Sequence, residues 1–199
     1  MGNTNKPFGL RFIGMLTGDN GNVHIGRYRI PAAETDAVYL GDPVIRLTSN
    51  SGAADQNLNQ MDGLIYVQRA TGASAEVTVG VVIGFAYNPT SLSSNYATGS
   101  VERDCFVVDD PNALFEVQSD STGIAYTDVG KNCTLTMTAG SSVTGLSGAV
   151  ATTATATAAN PYLIMGISRD PKNDFTSQAY AKVIVKINNH AYANAALGV

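Results

Sequence analysis

The chain has 199 residues, of which 14% are charged, and its net charge at pH 7 is −4. The scattered Lys and Arg residues form no basic stripe, which argues against a nucleic-acid partner. The longest apolar stretch, residues 77–87, is interrupted by glycine and too short to span a bilayer, so no membrane partner is predicted. No secretory signal is visible, which predicts synthesis in a cytoplasm. An exterior with so few charges is typical of a surface that other proteins cover.

The first fifteen residues differ from the rest of the chain. Asn, Lys and Pro discourage regular structure there, whereas Phe8, Leu10 and Phe12 are apolar. This pattern predicts an extended N-terminal arm, residues 1–15, that docks onto another surface. The alternative is a terminus that is disordered in the isolated chain.

From residue 16 onwards the dominant period of hydrophobicity is two, which is typical of half-buried strands. Strands are predicted at 23–30, 38–47, 64–69, 77–85, 103–109, 113–118, 131–138, 161–168 and 181–189. Turn signals such as Gly41-Asp42-Pro43 and Asp170-Pro171 separate them. Residues 16–199 are therefore predicted to form an all-β fold of the sandwich or barrel type.

The strand at 77–85 has an unusual pattern. Its odd positions, from Val77 to Phe85, form one apolar row, and Gly80 and Gly84 lie on the opposite face. Glycine inside a strand predicts a β-bulge or a close approach of another backbone.

Two pairs of segments in the chain are similar to each other. Val82-Ile83-Gly84-Phe85 is similar to Ile164-Met165-Gly166-Ile167, and residues 106–110 are similar to residues 184–189 at a comparable offset. One interpretation is that the fold contains two related, interlocked β-units, at about 16–120 and 121–199. The other is chance similarity among β-rich segments.

Residues 138–160 are rich in Thr, Ala, Ser and Gly and carry no charge. A flexible surface loop is one interpretation of this segment. The alternation of Thr and Ala from Thr152 to Thr157 equally fits an exposed strand that pairs with a neighbour.

No metal site or cofactor is predicted from the sequence. His24 and His190 lie far apart along the chain, and neither stands at ligand spacing from Cys105 or Cys133. For the two cysteines, buried free thiols are the favoured interpretation and a disulfide the alternative.

A cluster of acidic residues is the strongest candidate for catalysis. Its members are Glu102, Asp104, Asp109, Asp110, Glu116, Asp120 and Asp128. A carboxylate pair can act in general acid–base catalysis, which makes a hydrolase one hypothesis. However, adjacent strand residues point to opposite faces, and Asp110-Pro111-Asn112 fits a turn whose carboxylate caps backbone N–H groups. We therefore favour a structural role for the cluster and predict no catalytic residues.

Seven phrases spread over the chain resemble the capsid decoration, or cement, proteins of tailed bacteriophages. They are Asn5-Lys6-Pro7-Phe8-Gly9-Leu10, Gly41-Asp42-Pro43-Val44, Val82-Ile83-Gly84-Phe85, Asp109-Asp110-Pro111, Phe115-Glu116-Val117-Gln118, Asp128-Val129-Gly130 and Ile187-Asn188-Asn189-His190. They occur in order along nearly the whole chain, and the stretch from Asp109 to Gln118 is the most specific.

The resemblance implies a β-rich virion protein on the outer surface of the capsid, with the major capsid protein as its partner. It also implies self-association, as a homotrimer or, alternatively, a dimer, and it supplies no catalytic residues. The residues nominated for capsid contact lie in the arm: Asn3, Asn5, Lys6, Pro7, Phe8, Leu10 and Arg11. The alternatives are another β-rich head or tail component, or a glycan-binding adhesion module with a groove lined by Tyr87, Tyr96 or Tyr126.

Overall fold

The computed structural model describes residues 2–18, 23–47, 63–88, 94–152, 154–174, 176 and 178–193. Over these residues the chain forms twelve β-strands and one short 3₁₀ turn, Tyr126–Asp128. The strands are β1 (Arg11–Met15), β2 (Ile25–Ile30), β3 (Pro43–Arg46), β4 (Val67–Arg69), β5 (Thr78–Phe85), β6 (Arg103–Val108), β7 (Ala113–Gln118), β8 (Asn132–Cys133), β9 (Leu135–Thr136), β10 (Val150–Ala151), β11 (Tyr162–Ile167) and β12 (Lys182–Ile187). The predicted all-β fold is confirmed. None of the helical structure in the described ranges is long and apolar enough to cross a membrane.

Five strands of the first half form a sheet in the order β2-β6-β5-β3-β4. The sheet curls until its two edges meet, where Arg29 N–H donates to the carbonyl of Ile65 at 3.1 Å and Arg29 forms a parallel bridge with Tyr66. We call this unit barrel 1. Closure leaves one face of each strand inside, and the buried interior residues include Tyr28, Ile30, Val44, Val67, Val79, Val82, Cys105 and Val107.

Barrel 2 is built in the same way from the second half. Its sheet has the order β1-β7-β12-β11-β8, in which β1 is added beside β7. β9 continues the line of β8 and pairs with β10. A parallel bridge between Ser119 and Ala151 then joins β10 back to β7. The buried interior residues include Ala113, Phe115, Val117, Cys133, Leu135, Ala151, Tyr162, Ile164, Val183, Val185 and Ile187.

The two barrels have the same topology. Each barrel has five strands when β8 and β9 are counted as one and β1 is left aside. Numbered in chain order, the strands lie side by side as 1, 5, 4, 2, 3, and a parallel bridge between strands 3 and 1 closes the ring. The pairing register also shifts at the same place, between Val82 and Gly84 in barrel 1 and between Ile164 and Gly166 in barrel 2. The similar segments of the sequence therefore occupy equivalent positions. The boundary falls between β6 and β7 and not at residue 120, because β7 is the first strand of barrel 2.

The prediction of a single apolar row at 77–85 is wrong. Val77 and Ile83 are 44% and 39% exposed, whereas Val82 is fully buried. Register shifts opposite β3 and β6 change which side chains face the interior. The prediction for the glycines is confirmed: Gly84 adjoins a bulge, and a Cβ on Gly80 would lie 2.2 Å from the carbonyl oxygen of Val108.

The segment 138–160 connects the barrels through strand-like pairing. Its strand β10 pairs with β9, and Thr155 bridges to Asn132 in barrel 2. Leu146 forms a parallel bridge with Leu40, which precedes β3 of barrel 1. The Thr/Ala alternation at 152–157, for which a strand was one interpretation, follows β10 and contributes one isolated bridge, from Thr155, among its described residues.

A buried carboxylate holds this connection in place. Asp42 is fully buried and accepts hydrogen bonds from Arg69 Nε at 3.0 Å, from the Tyr39 N–H at 2.8 Å and from Ser147 Oγ at 2.5 Å. Arg69 Nη2 also donates to the carbonyl of Thr138 at 2.6 Å. Burial raises the pKa of the Asp42 carboxyl, while Arg69 and the hydrogen bonds act in the opposite direction. The cluster thereby ties barrel 1 to both ends of the 138–147 stretch.

We predict that Asp42→Ala lowers the free energy of unfolding by about 3–5 kcal/mol, because it leaves the Arg69 guanidinium buried without its charged partner. Urea unfolding followed by circular dichroism measures the change. The matched control is Lys131→Ala, which breaks an ion pair whose lysine is 43% exposed and is expected to cost at most about 1 kcal/mol. Equal losses of unfolding free energy in the two variants would contradict this role of Asp42 in joining barrel 1 to the connecting segment.

Candidate protein-binding surface

The N-terminal arm is shorter than the sequence predicts. Arg11–Met15 forms β1, which pairs with β7 from Arg11↔Glu116 to Met15↔Ala113 and so belongs to barrel 2. Within the described residues, the arm therefore consists of residues 2–10. The predicted boundary at residue 15 is wrong because Phe12 and Met15 pack against the barrel core.

The tip of the arm is held by two amide side chains. Asn3 Nδ2 donates to the carbonyls of Asp174 at 2.7 Å and Ala179 at 3.0 Å, and Asn3 Oδ1 accepts from the Asp174 N–H at 2.8 Å. Gln118 Nε2 donates to the carbonyl of Thr4 at 2.9 Å, and its Oε1 accepts from the Lys6 N–H at 3.0 Å. The arm thus lies along barrel 2 of its own chain.

Leu10 is the inner anchor of the arm. It is 2% exposed within the barrel 2 core, and its N–H donates to the carbonyl of Gly41 at 2.9 Å. Gly9 precedes it with a φ of +71°, and a Cβ there would lie 2.5 Å from the Cβ of Ser147. Leu10, which was nominated for capsid contact, is thus almost wholly buried in this conformation, and its side chain stabilises the fold.

An apolar groove lies between the arm, β1 and barrel 1. It has a volume of about 420 Å³ and is lined by Phe8, Leu10, Arg11, Phe12, Leu40, Gly41, Val82, Ile83 and Leu146. We call it the arm groove. Ile83 and Leu146 are 39% and 38% exposed, so its walls are open to solvent.

Arg11 supplies the charge at the arm groove. Its guanidinium lies 5.2 Å from the centroid of the Phe8 ring and pairs with Glu116, whose other oxygen accepts from Ser168 Oγ. The Arg11 side chain remains 61% exposed. The groove can therefore receive an apolar side chain and, at its rim, an acceptor group.

The structure separates the nominated arm residues. Phe8 and Arg11 line the arm groove, whereas the exposed side chains of Asn5 and Lys6 do not, and the Asn3 amide is bonded within the chain. Sequence reasoning missed Leu40, Ile83 and Leu146 as groove residues. For Ile83 there were two signals in the sequence, an apolar row that was assigned to the core and the phrase Val82-Ile83-Gly84-Phe85, and neither indicated a groove.

The acidic residues take structural roles in the described fold. Asp110 accepts from the Asn112 N–H at 2.8 Å, which confirms the predicted turn. Asp104 pairs with Arg27 and Arg29, and Asp120 accepts from the Gly123 N–H at 3.0 Å. Each of these carboxylates therefore stabilises a turn or a strand pair.

Asp109 is the centre of a hydrogen-bonded chain. It accepts from Tyr28 OH at 2.5 Å and from His24 Nδ1 at 2.5 Å, and the Tyr28 oxygen lies 3.0 Å from Tyr192 OH. These contacts tie the last described residues to the start of β2. The neighbouring His190 is buried, and burial lowers its pKa to about 4, so it is neutral at physiological pH.

The two cysteines are free and lie inside different barrels, Cys105 in barrel 1 and Cys133 in barrel 2. Burial raises the pKa of each thiol to about 12, so both are protonated at physiological pH. The favoured interpretation of two buried thiols is confirmed. Among the residues that the structure describes, no three His, Cys, Asp or Glu side chains come together as a metal site.

The tyrosines considered for glycan binding do not share one site. Tyr96 stacks on Tyr39 with ring centroids 4.9 Å apart. Tyr87 and Tyr126 are 77% and 73% exposed, but Tyr126 belongs to the 3₁₀ turn and only Tyr87 lines the hollow beside β5.

Comparison with known proteins gives no match to this chain: no family model, no curated protein and no solved structure matches it.

We predict that His24 titrates above its ordinary pKa of 6.5, because its hydrogen bond to Asp109, and then the charge of Asp109, favour the protonated ring. The stabilisation is complete below the unfolded pKa and is lost as pH rises through the raised folded pKa. NMR titration of the His24 ring measures this directly, and Asp109→Asn should return the pKa towards 6.5. A His24 pKa of 6.5 in the unaltered chain would contradict the interaction between His24 and Asp109.

Proposed function

We propose that this chain is a capsid decoration protein of a tailed bacteriophage, which binds the major capsid protein on the outer surface of the head through the arm groove. One observation carries the proposal. Three of the phrases that resemble that family meet at the groove: Asn5–Leu10 supplies Phe8 and Leu10, Gly41–Val44 supplies Gly41, and Val82–Phe85 supplies Val82 and Ile83. A fourth, Phe115–Gln118, supplies the Glu116 that holds Arg11.

The character of the groove fits a protein partner. Its walls are predominantly aliphatic and aromatic, and a volume near 420 Å³ accommodates one or two large apolar side chains of a capsid subunit. Each buried apolar side chain contributes roughly 1.5–3 kcal/mol. The sparse charge of the chain means that few ions would lose water on contact.

Rigidity is what a decoration protein needs, and the fold supplies it. Two closed barrels joined through Asp42 leave little freedom at the groove, so binding would cost little ordering of the scaffold. The arm is already docked through Asn3 and Gln118, which removes the ordering cost that a free arm would carry. Many copies bound side by side on a repeating lattice would then bind strongly overall, although each contact has only a modest affinity.

The proposal includes self-association of the bound chains, as a trimer or a dimer. Contacts between copies would cover part of the exposed apolar surface, which includes Ile13, Leu16 and Ile25, each at least 40% exposed. Cryo-electron microscopy of heads carrying the protein would show the symmetry of the added density.

We predict that Ile83→Asp weakens binding to purified heads assembled without this protein by at least about tenfold, because it places a charge in the apolar groove. Cosedimentation with the heads over a range of protein concentrations gives the affinity. Val143→Asp is the matched control, since Val143 is 89% exposed and does not line the groove. Its binding should equal that of the unaltered chain, and both variants should keep the melting temperature.

If the unaltered chain does not sediment with the heads, the proposed function is wrong. If it does and Ile83→Asp binds equally well, the arm groove is not the contact surface.

A further inference from the structure

At the equivalent bulges of the two barrels, a glycine lies beside a partly exposed apolar side chain on the outer face of the sheet. In barrel 1 a row across three strands runs Arg27, Phe106, Gly84. In barrel 2 the corresponding row runs Glu116, Ile184, Gly166. Each row therefore places a glycine beside an apolar side chain that is at least partly exposed.

The bulge adds a second apolar residue to each row. Ile83 precedes Gly84, and Met165 precedes Gly166, at the points where the register shifts. Both residues are at least partly exposed. We call Ile83, Gly84 and Phe106 patch 1, and Met165, Gly166 and Ile184 patch 2.

The chain's own packing does not require glycine at either place. A Cβ on Gly166 would meet nothing within 4 Å, and one on Gly84 would make ordinary contact with Phe106 Cδ2 at 3.6 Å. Neither residue has a positive φ. By contrast, a Cβ on Gly80 would clash with the Val108 carbonyl at 2.2 Å. The space above Gly84 and Gly166 is open, and glycine at such a place is typical of close approach by another molecule.

An arginine lies near each patch, but not at the same position: Arg27 is on the strand next to patch 1, whereas buried Glu116 takes that place beside patch 2 and Arg11 lies one strand further out. Arg27 pairs with Asp104 and its side chain is 55% exposed. Arg11, paired with Glu116, is 61% exposed. Because a guanidinium has five N–H donors, each arginine can still bind an acceptor from solvent or from a partner.

Patch 1 adjoins the arm groove, because Ile83 belongs to both. Arg11 also lines the groove, and Glu116 stands between Arg11 and Ile184 of patch 2.

We propose that patches 1 and 2 are corresponding docking points for two copies of one segment of the capsid subunit, an apolar side chain followed by a carboxylate. The apolar side chain lies over the glycine, and the carboxylate reaches Arg27 across one strand in barrel 1 and Arg11 across two strands in barrel 2. One chain thereby joins two neighbouring identical subunits. This inference rests on the proposed function and names the residues and stoichiometry of the same surface.

The test is to fill each hollow separately and together. Gly84→Leu, Gly166→Leu and the double variant are compared with the unaltered chain in cosedimentation with heads assembled without the protein. Each single change should weaken binding at least about tenfold and the double change at least about a hundredfold, because two linked contacts bind by avidity. Ser142→Leu adds the same side chain at an exposed position outside both patches and should bind normally.

Melting temperatures identify variants that fail to fold, and Gly166→Ala gives a smaller change that the structure accommodates without any contact. Normal binding by both single variants, or a loss in only one of them, overturns the inference while leaving the proposed function in place. A chain that never binds heads but self-associates through these patches overturns both, since the partner is then a second copy.

Discussion

The buried carboxylate of Asp42 is the contact on which the relation of the two barrels depends. It lies at the end of the loop before β3 and is bound by Arg69 from β4 and by Ser147 from the connecting segment. Losing Arg69 would leave the buried carboxylate without its charged partner, which costs about 3–5 kcal/mol. The residues beside this cluster, Gly41 and Leu146, are walls of the arm groove. The interaction that holds the fold together therefore also shapes the proposed binding surface.

Repetition explains much of the remaining architecture. Two barrels of one topology pack side by side, with Val81 and Val108 of barrel 1 against the core of barrel 2. β1 and the arm then fill the edge beside β7. A rigid, duplicated body of this kind is suited to a partner that is itself repeated, as the subunits of a capsid lattice are. The low charge of the chain is consistent with extensive coverage by other proteins.

Local patterns predicted the local structure well. Alternating hydrophobicity located ten of the twelve strands in the described residues, all except β1 and β10. Glycine within a strand located the bulge at Gly84, and Asp110-Pro111-Asn112 formed the expected turn. Long-range features had no such signal. Barrel closure depends on bridges between residues far apart in the chain. Leu10 is buried because Gly41 and the barrel 2 core, which are distant in sequence, pack around it. The groove was missed for the same reason, since its walls meet only in the folded chain.

The most direct test of the central claim is the affinity of the unaltered chain and of Ile83→Asp for heads assembled without this protein, measured by cosedimentation. The account predicts saturable binding of the unaltered chain and a loss of at least about tenfold in a variant that keeps its melting temperature. Absence of binding by the unaltered chain, or equal binding by the two proteins, would contradict it.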